Sequence, residues 1–166
     1  MKIIKLIYDK YENESYSDQG INKLYSDTDN GEGVIQKNAK KNVVYSGSIN
    51  KDRILNIFTW GVKKEAGVEC DITFDLRIFQ TKISENINIS EITGFSNIIQ
   101  ESIKNHPKFD ELLDIIITEI EQDNPKKVAF VCNYGKHRSV GWAEIIKKYI
   151  YPNAKIKHLC QRHIPK

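Results

Sequence analysis

The pattern of apolar and polar positions predicts strands and helices that alternate along the chain. Short apolar runs predict strands at residues 2–8, 42–46, 53–60, 72–79, 128–131 and 155–159. Apolar positions spaced by three and four predict helices at residues 96–104, from Pro107 through Ile120, and from Ser139 to Tyr151. This order favours an α/β fold, a single compact domain in which helices flank a layered, largely parallel central sheet.

Residues 72–79 alternate strictly between two faces of the predicted strand. One face carries Ile72, Phe74, Leu76 and Ile78, and the other carries Thr73, Asp75, Arg77 and Phe79. We therefore expect Asp75 and Arg77 to be neighbours on one side of a strand.

Residues 11–41 are polar and follow no sustained period, which predicts a long loop or an insertion. We divide the chain accordingly into two parts. Residues 1–52 supply one or more N-terminal strands with this polar segment packed on the domain. Residues 53–166 form a phosphate- or ligand-binding domain.

Composition is that of a globular protein, with 40% hydrophobic and 28% charged residues among 166. No apolar run is long enough to cross a membrane, and the first residues have no small-residue cleavage site. Three cysteines do not make an even disulfide framework, which favours a reducing compartment. We expect a cytoplasmic protein that does not bind membranes.

Charge is distributed unevenly along the chain. Residues 126–166 contain ten Lys or Arg and one acidic residue, Glu144, so this quarter carries +9. Because the whole chain carries +3, the remainder carries −6. A basic C-terminal quarter suits a phosphorylated ligand or RNA, although it is also compatible with a solvated helix face and a charged tail.

One stretch carries most of the candidate chemistry, and it joins the strand at 128–131 to the following helix. Its sequence is Cys132-Asn133-Tyr134-Gly135-Lys136-His137-Arg138-Ser139. A tight loop that opens a helix gathers unpaired amide groups at the positive end of the helix dipole, which attracts phosphate. Lys136, His137 and Arg138 add further donors, so we expect all of residues 133–139 to contribute to a phosphate site.

Two chemical interpretations of this stretch remain open. Cys132 and Arg138 have the C-x5-R spacing of cysteine phosphatases, in which a cysteine thiolate attacks phosphorus while the arginine clamps the phosphate. The histidine that usually precedes that cysteine is Val131 here, and no general-acid loop is evident. The alternative is a site that binds a phosphate without turning it over, with Cys132 as a buried apolar residue.

A longer set of residues resembles the C-terminal domain of the RapZ family, the RNase adapter proteins. Besides Gly135 to Val140, the resembling segments follow in the same order: Phe58-Thr59-Trp60-Gly61-Val62-Lys63, Cys70-Asp71-Ile72-Thr73-Phe74-Asp75-Leu76-Arg77-Ile78-Phe79, Glu91-Ile92-Thr93-Gly94 and Ala143-Glu144. The resemblance covers residues 53–166, about two-thirds of the chain. It implies an α/β domain that binds a phosphorylated amino sugar or a similar metabolite and contributes to RNA binding.

Position by position, the resemblance implies a phosphate cradle made by Gly135, His137, Arg138 and Ser139. It also implies that Asp75 and Arg77 face the cradle from the neighbouring strand. His158 resembles a histidine that the family often has at the end of the last strand.

Three departures from the family pattern stand out. The family's N-terminal nucleotide-binding domain is absent from this sequence, which also contains no Walker P-loop. Gln80-Thr81-Lys82 replaces the Asn-Pro-aromatic continuation after Arg77, and Asn133-Tyr134 replaces the small residues that usually precede the loop glycine. We therefore expect a ligand that differs from the family's.

We expect a stand-alone binding or regulatory module for a sugar phosphate or nucleotide-like anion. RNA binding through the basic C-terminal quarter is a further hypothesis. The alternative is a cysteine-dependent phosphatase with Cys132 as nucleophile and Arg138 as clamp. No cofactor is implied. The spacing of Cys132, His137, His158, Cys160 and His163 does not supply four zinc ligands, so no metal is expected.

Overall fold

The computed structural model describes residues 1–7, 34–38, 47–77, 79–80 and 82–160. Six strands lie within these ranges: β1 (Lys2–Ile7), β2 (Val34–Asn38), β3 (Asn56–Gly61), β4 (Ile72–Asp75), β5 (Lys127–Cys132) and β6 (Lys155–His158). Three α-helices are α1 (Asn97–Lys104), α2 (Phe109–Asp123) and α3 (Arg138–Tyr149), and a short 3-10 helix spans Ile89–Glu91.

All six strands belong to one sheet in the order β2-β1-β4-β5-β3-β6. Every neighbouring pair is parallel, so the strands all end at the same edge of the sheet. The predicted α/β class with a parallel central sheet is confirmed.

The three helices pack on one face of the sheet. Their apolar stripes meet the strand residues Ile57, Phe74 and Phe130 in a common core, in which the rings of Phe74 and Phe130 stack with centroids 5.2 Å apart. Strand residues with the opposite orientation, among them Trp60 and Val131, form a smaller apolar cluster on the other face. Burial on both faces explains why these strands are almost continuously apolar in sequence.

Local sequence accounts well for the two helices between β4 and β5. The Ser96 side chain accepts the amide of Ile98 and caps α1. The helix opened by Pro107 begins at Phe109 and ends at Asp123, and the C-cap residue Asn124 adopts a left-handed conformation (φ 48°). Its predicted stripe is confirmed, since Leu112, Ile116, Ile117 and Ile120 are buried.

The predicted strand at 72–79 is too long, because β4 ends at Asp75. There the carboxylate of Asp75 accepts the backbone amide of Arg77 (3.0 Å), which starts a turn in place of further pairing. Arg77 therefore lies in a turn and not on the strand face.

The N-terminal part of the chain differs from the prediction in one respect. The prediction of a long loop or an insertion over 11–41 did not include a strand, whereas Val34–Asn38 form β2 and pair with β1. The strand predicted at 42–46 lies outside the described residues.

Neither a membrane-spanning helix nor a cluster of metal ligands occurs in the described ranges. No helix there has the length and apolar character that crossing a membrane requires. No group of three or more potential metal ligands occurs there either.

Candidate functional site

Four strands bring candidate residues to the carboxyl edge of the sheet. Gly61, Asp75, Cys132 and His158 are the last residues of β3, β4, β5 and β6. Because these four strands are consecutive in the sheet, their ends line one continuous rim. Ligands of parallel α/β sheets bind outside this edge.

The backbone of residues 132–139, which we call the 132–139 loop, turns sharply at Gly135. Gly135 has φ 68°, a conformation that other residues rarely adopt. A Cβ atom at this position would lie 2.5 Å from both the Cys160 sulfur and the Gly61 nitrogen. Both the backbone conformation and the lack of space therefore require glycine here.

Cys132 lies at the base of this loop and is hydrogen-bonded within it. Its sulfur accepts the Gly135 amide (3.3 Å) and lies 3.2 Å from the Ser139 hydroxyl. Cys132 is 3% exposed and Ser139 is fully buried. The loop is thus folded around the thiol group.

Several amide groups at the end of the loop have no protein acceptor within the described residues. This applies to residues 136–139, which include the first turn of α3. His137, at the N-cap position, makes no side-chain capping hydrogen bond, and no acidic residue lies in the first turn. Such amides, together with the helix dipole, form a site suited to an anion.

Arg138 links this loop to the segment that follows β4. Its Nη1 donates to the carbonyl oxygens of Leu76 (3.2 Å), Arg77 (2.7 Å) and Phe79 (2.9 Å). In the described part of the chain, Nε and Nη2 donate to nothing. One edge of the guanidinium therefore holds the protein backbone, and the other can receive a two-pronged anion.

Asp75 and Arg77 form an ion pair beside this contact. The Arg77 Nη2 lies 2.6 Å from one carboxylate oxygen of Asp75, and Nε lies 3.0 Å from both. Asp75 is 4% exposed, so its charge is compensated within the protein. Arg138 connects this ion pair to the loop, because it donates to the Arg77 carbonyl. The Asp75 carboxylate itself is paired with the Arg77 side chain.

The side chains of Lys136 and His137 hold residues 89–94 against the loop. The Lys136 ammonium donates to the Ser90 carbonyl, and His137 Nε2 lies 2.9 and 3.0 Å from the carbonyls of Ile89 and Ile92. Since carbonyl oxygens accept only, Nε2 carries the proton. Burial lowers the pKa of His137, and the nearby cations Lys136 and Arg138 act in the same direction, against the opposing effect of the two carbonyls.

His158 is hydrogen-bonded through both ring nitrogens. Nδ1 lies 2.7 Å from the Thr59 hydroxyl, and Nε2 lies 3.1 Å from the Glu144 carboxylate. The ring also meets the edge of Phe95, with centroids 5.1 Å apart. His158 is therefore held between β3 and α3 at the rim.

Asn133 and Tyr134 connect the loop to the end of β3. The Asn133 carbonyl accepts the Lys63 amide (3.1 Å), and the Cys132 carbonyl accepts the Val62 amide (3.0 Å). The Tyr134 ring is 51% exposed, and the ammonium groups of Lys63 and Lys64 lie 5.5 and 5.9 Å from its centroid.

One residue that the sequence did not single out for the site is Gly94, which contributes because it has no side chain. A Cβ atom on Gly94 would lie 2.4 Å from the His137 carbonyl and 2.3 Å from the Gly141 amide. The Gly94 amide also donates to the Lys136 carbonyl (2.9 Å). A glycine directly before a predicted helix was the available signal. Thr59 and Glu144 lie in segments that resemble the family, but nothing in the sequence indicated that they pair with His158.

Comparison with known proteins identifies relatives of this domain. One relative is a nucleotide-binding protein of Alkaliphilus oremlandii, 24% identical over 75% of this chain and 46% of its own length. Another, from Shewanella baltica, is also described as a nucleotide-binding protein and is 28% identical over 61% of this chain and 39% of its own length. The aligned part of this chain thus spans less than half the length of either relative.

The family model of the RapZ C-terminal domain matches residues 53–164. These residues contain β3, β4, β5, β6, all three helices and the 132–139 loop. The match covers more than half of the chain, and it agrees with the order of motifs along the sequence. This chain belongs to the RapZ C-terminal domain family.

Proposed function

We propose that this domain binds a phosphorylated small molecule at the 132–139 loop. The observation that carries the proposal is a set of donors in one short stretch of chain that have no protein acceptor among the described residues. These donors are the amides of residues 136–139 and the Nε and Nη2 groups of Arg138. A phosphate group has enough acceptor oxygens to pair with several of them at once.

The electrostatic surroundings support an anion. The loop itself carries Lys136 and Arg138, and the nearest acidic residue along β4, Asp75, is neutralised by Arg77. A cation at the first position of α3 is unfavourable alone, because the helix dipole is positive there. An anion bound between Arg138 and the amides would relieve that repulsion.

The class of ligand belongs to the proposal as well. Membership of the RapZ C-terminal domain family favours a sugar phosphate, while the described relatives are named for nucleotide binding. RNA binding through the basic residues of the C-terminal quarter, with a regulatory role, extends the same proposal. If RNA binds through these basic residues, the RNA affinity should fall steeply as the salt concentration rises.

Ligand binding can be tested by thermal unfolding in the presence of inorganic phosphate, sugar phosphates and nucleotides. A ligand at 100 times its Kd stabilises the folded state by about 2.7 kcal/mol. We expect stabilisation of the wild type and of Lys148→Ala, which removes an exposed cation from the other end of α3. Arg138→Ala should lose it. Equal stabilisation of all three proteins would exclude this site.

A cysteine-dependent phosphatase is the second candidate, favoured by the hydrogen bonds around Cys132. The Gly135 amide and the Ser139 hydroxyl can both stabilise a thiolate at this position. In such a reaction the thiolate attacks phosphorus, the alcohol leaves with a proton, and water then hydrolyses the phosphocysteine. Asp75 is a poor proton donor for the alcohol, because Arg77 occupies its carboxylate.

Hydrolysis of an aryl phosphate by wild type, Cys132→Ser and Cys160→Ser tests this candidate. A phosphatase loses turnover in the first variant and keeps it in the second, which removes another buried thiol near the same loop. Hydrolysis that survives Cys132→Ser would rule this candidate out. Binding in the absence of turnover supports the binding module alone.

A further inference from the structure

An exposed aromatic side chain lies within the 132–139 loop. Tyr134 precedes Gly135 directly, and its ring is half exposed although the surrounding loop residues are largely covered. Aromatic rings next to phosphate-binding groups are the usual platforms on which nucleobases stack. Packing within the protein does not account for the exposure of this ring.

The position of Tyr134 is fixed by backbone contacts. The Tyr134 backbone lies so close to Gly61 that a Cβ atom on Gly61 would be 2.2 Å from the Tyr134 carbonyl carbon. Just beyond the same end of β3, Lys63 donates its amide to the carbonyl of Asn133, the residue directly before Tyr134 (3.1 Å). The backbone that carries the ring is therefore held in place before a ligand binds, which lowers the entropy cost of stacking on the ring.

Two lysine side chains lie near the Tyr134 ring. The ammonium groups of Lys63 and Lys64 lie 5.5 and 5.9 Å from its centroid, within the range of cation–π attraction. Both lysines are exposed, as is Glu65, the acidic residue that follows them in the same turn. The side chains of Lys63 and Lys64 therefore add positive charge beside the ring, which favours an anionic ligand there.

We propose that Tyr134, Lys63 and Lys64 form a stacking platform that selects nucleotides over phosphate esters that carry no aromatic base. The inference rests on the proposed phosphate site and specifies its ligand class. The phosphate binds the amides of residues 136–139 and Arg138, and the base stacks on Tyr134. The shared chemistry is a nucleoside monophosphate unit, either free or at the 5′ end of an RNA.

Calorimetric titration with adenosine monophosphate and glucose 6-phosphate tests the platform, because each is a phosphate monoester and only the first carries an aromatic base. We expect the nucleotide to bind wild type about tenfold more tightly, the effect of one stacked base. Tyr134→Phe should keep this advantage, and Tyr134→Leu should lose it. Affinity for glucose 6-phosphate should stay the same in both variants. Lys63→Gln and Lys64→Gln should weaken both ligands.

The outcomes separate this inference from the proposed function. If both ligands bind wild type equally, or if the nucleotide's advantage survives in Tyr134→Leu, the platform is refuted. The phosphate site then still stands, provided that Arg138→Ala abolishes binding. If neither ligand binds wild type, both ideas fail. Tyr134→Phe guards against loss of folding, since it removes one hydroxyl group only.

A short single-stranded RNA distinguishes the two sources of the nucleotide. If the terminal nucleotide of RNA is the ligand, a 5′-phosphorylated RNA should bind more tightly than adenosine monophosphate and than the same RNA with a 5′-hydroxyl. If a free nucleotide is the ligand, the RNA gains nothing over adenosine monophosphate. In both cases the affinity should fall in Tyr134→Leu. An RNA affinity that changes neither with Tyr134→Leu nor with removal of the 5′ phosphate would contradict the platform.

Discussion

Gly61 and Tyr134 touch through their backbones, because a Cβ atom on Gly61 would lie only 2.2 Å from the Tyr134 carbonyl carbon. The same hypothetical atom would lie 2.5 Å from the Gly135 nitrogen. The 132–139 loop thus packs directly against the end of β3. The lack of a side chain at Gly61 is what allows the two backbones to come this close.

Replacing Gly61 by alanine should displace the loop, because the contact is with backbone and cannot be relieved by rotating a side chain. We expect a loss of about 1–3 kcal/mol in the free energy of unfolding, the usual cost of overpacking. Phosphate-induced stabilisation should be lost as well. Urea denaturation with and without phosphate measures both. Val62→Ala, at an exposed neighbouring position, is the control and should change neither.

Asp75 and Arg77 should be energetically coupled, since three side-chain hydrogen-bond contacts join them and Asp75 is buried. Asp75→Asn should cost about 2 kcal/mol, within the range of hydrogen bonds that involve charged groups. A double-mutant cycle with Arg77→Gln measures the coupling by urea denaturation. Additive effects of the two substitutions would show that the ion pair contributes nothing to stability.

Arg138→Lys and Arg138→Ala should distinguish the two roles of the guanidinium group, which are to hold the protein backbone with one edge and to bind an anion with the other. A lysine ammonium can still donate to the carbonyls of Leu76, Arg77 and Phe79, but it cannot present two parallel donors to an anion. We expect Arg138→Lys to keep most of the stability and to bind phosphate weakly. Arg138→Ala should lose both, with a stability cost on the order of 1–3 kcal/mol. Thermal unfolding with a phosphate titration checks this, and full binding by Arg138→Lys would contradict a two-pronged contact.

Stability should decrease in mild acid, because burial lowers the pKa of His137. Below the ordinary histidine value of about 6.5, the unfolded chain binds a proton that folded His137 resists binding, so unfolding becomes easier as the pH falls. Urea denaturation between pH 7.5 and 5.5 in phosphate-free buffer should show a smaller decrease for His137→Gln.

A second histidine contributes with the same sign, so it serves as the comparison. Burial and the nearby Lys108 lower the pKa of His106, which packs against the ring of Phe79 and is not part of the 132–139 loop. His106→Gln should therefore also flatten the decrease, and only the His137 contribution should diminish when phosphate occupies the loop. An identical pH dependence in wild type and both variants would show that neither histidine is responsible.

The sequence alone determined the elements whose causes are local. The stripe of α2 follows from apolar residues at intervals of three and four, and the cap of α1 follows from one serine before an apolar helix. The 132–139 loop was recognisable because a glycine, cations and a hydroxyl lie between an apolar strand and a helix. The family assignment rested on short motifs in a fixed order, which needs no three-dimensional information. The ligand roles of these residues stay predictions.

Only the tertiary structure decided the features that depend on residues distant in sequence. Arg138 donates to carbonyls about sixty positions earlier in the chain, and His158 pairs with Thr59 on another strand. β4 ends at Asp75 although the alternation continues, because the Asp75 carboxylate competes for the Arg77 amide. β2 was missed because its partly polar sequence does not indicate a strand, and the strand is formed by hydrogen bonding to β1. Periodicity reports burial along one element, and it carries no information about which partner an arginine, a carboxylate or a glycine will meet.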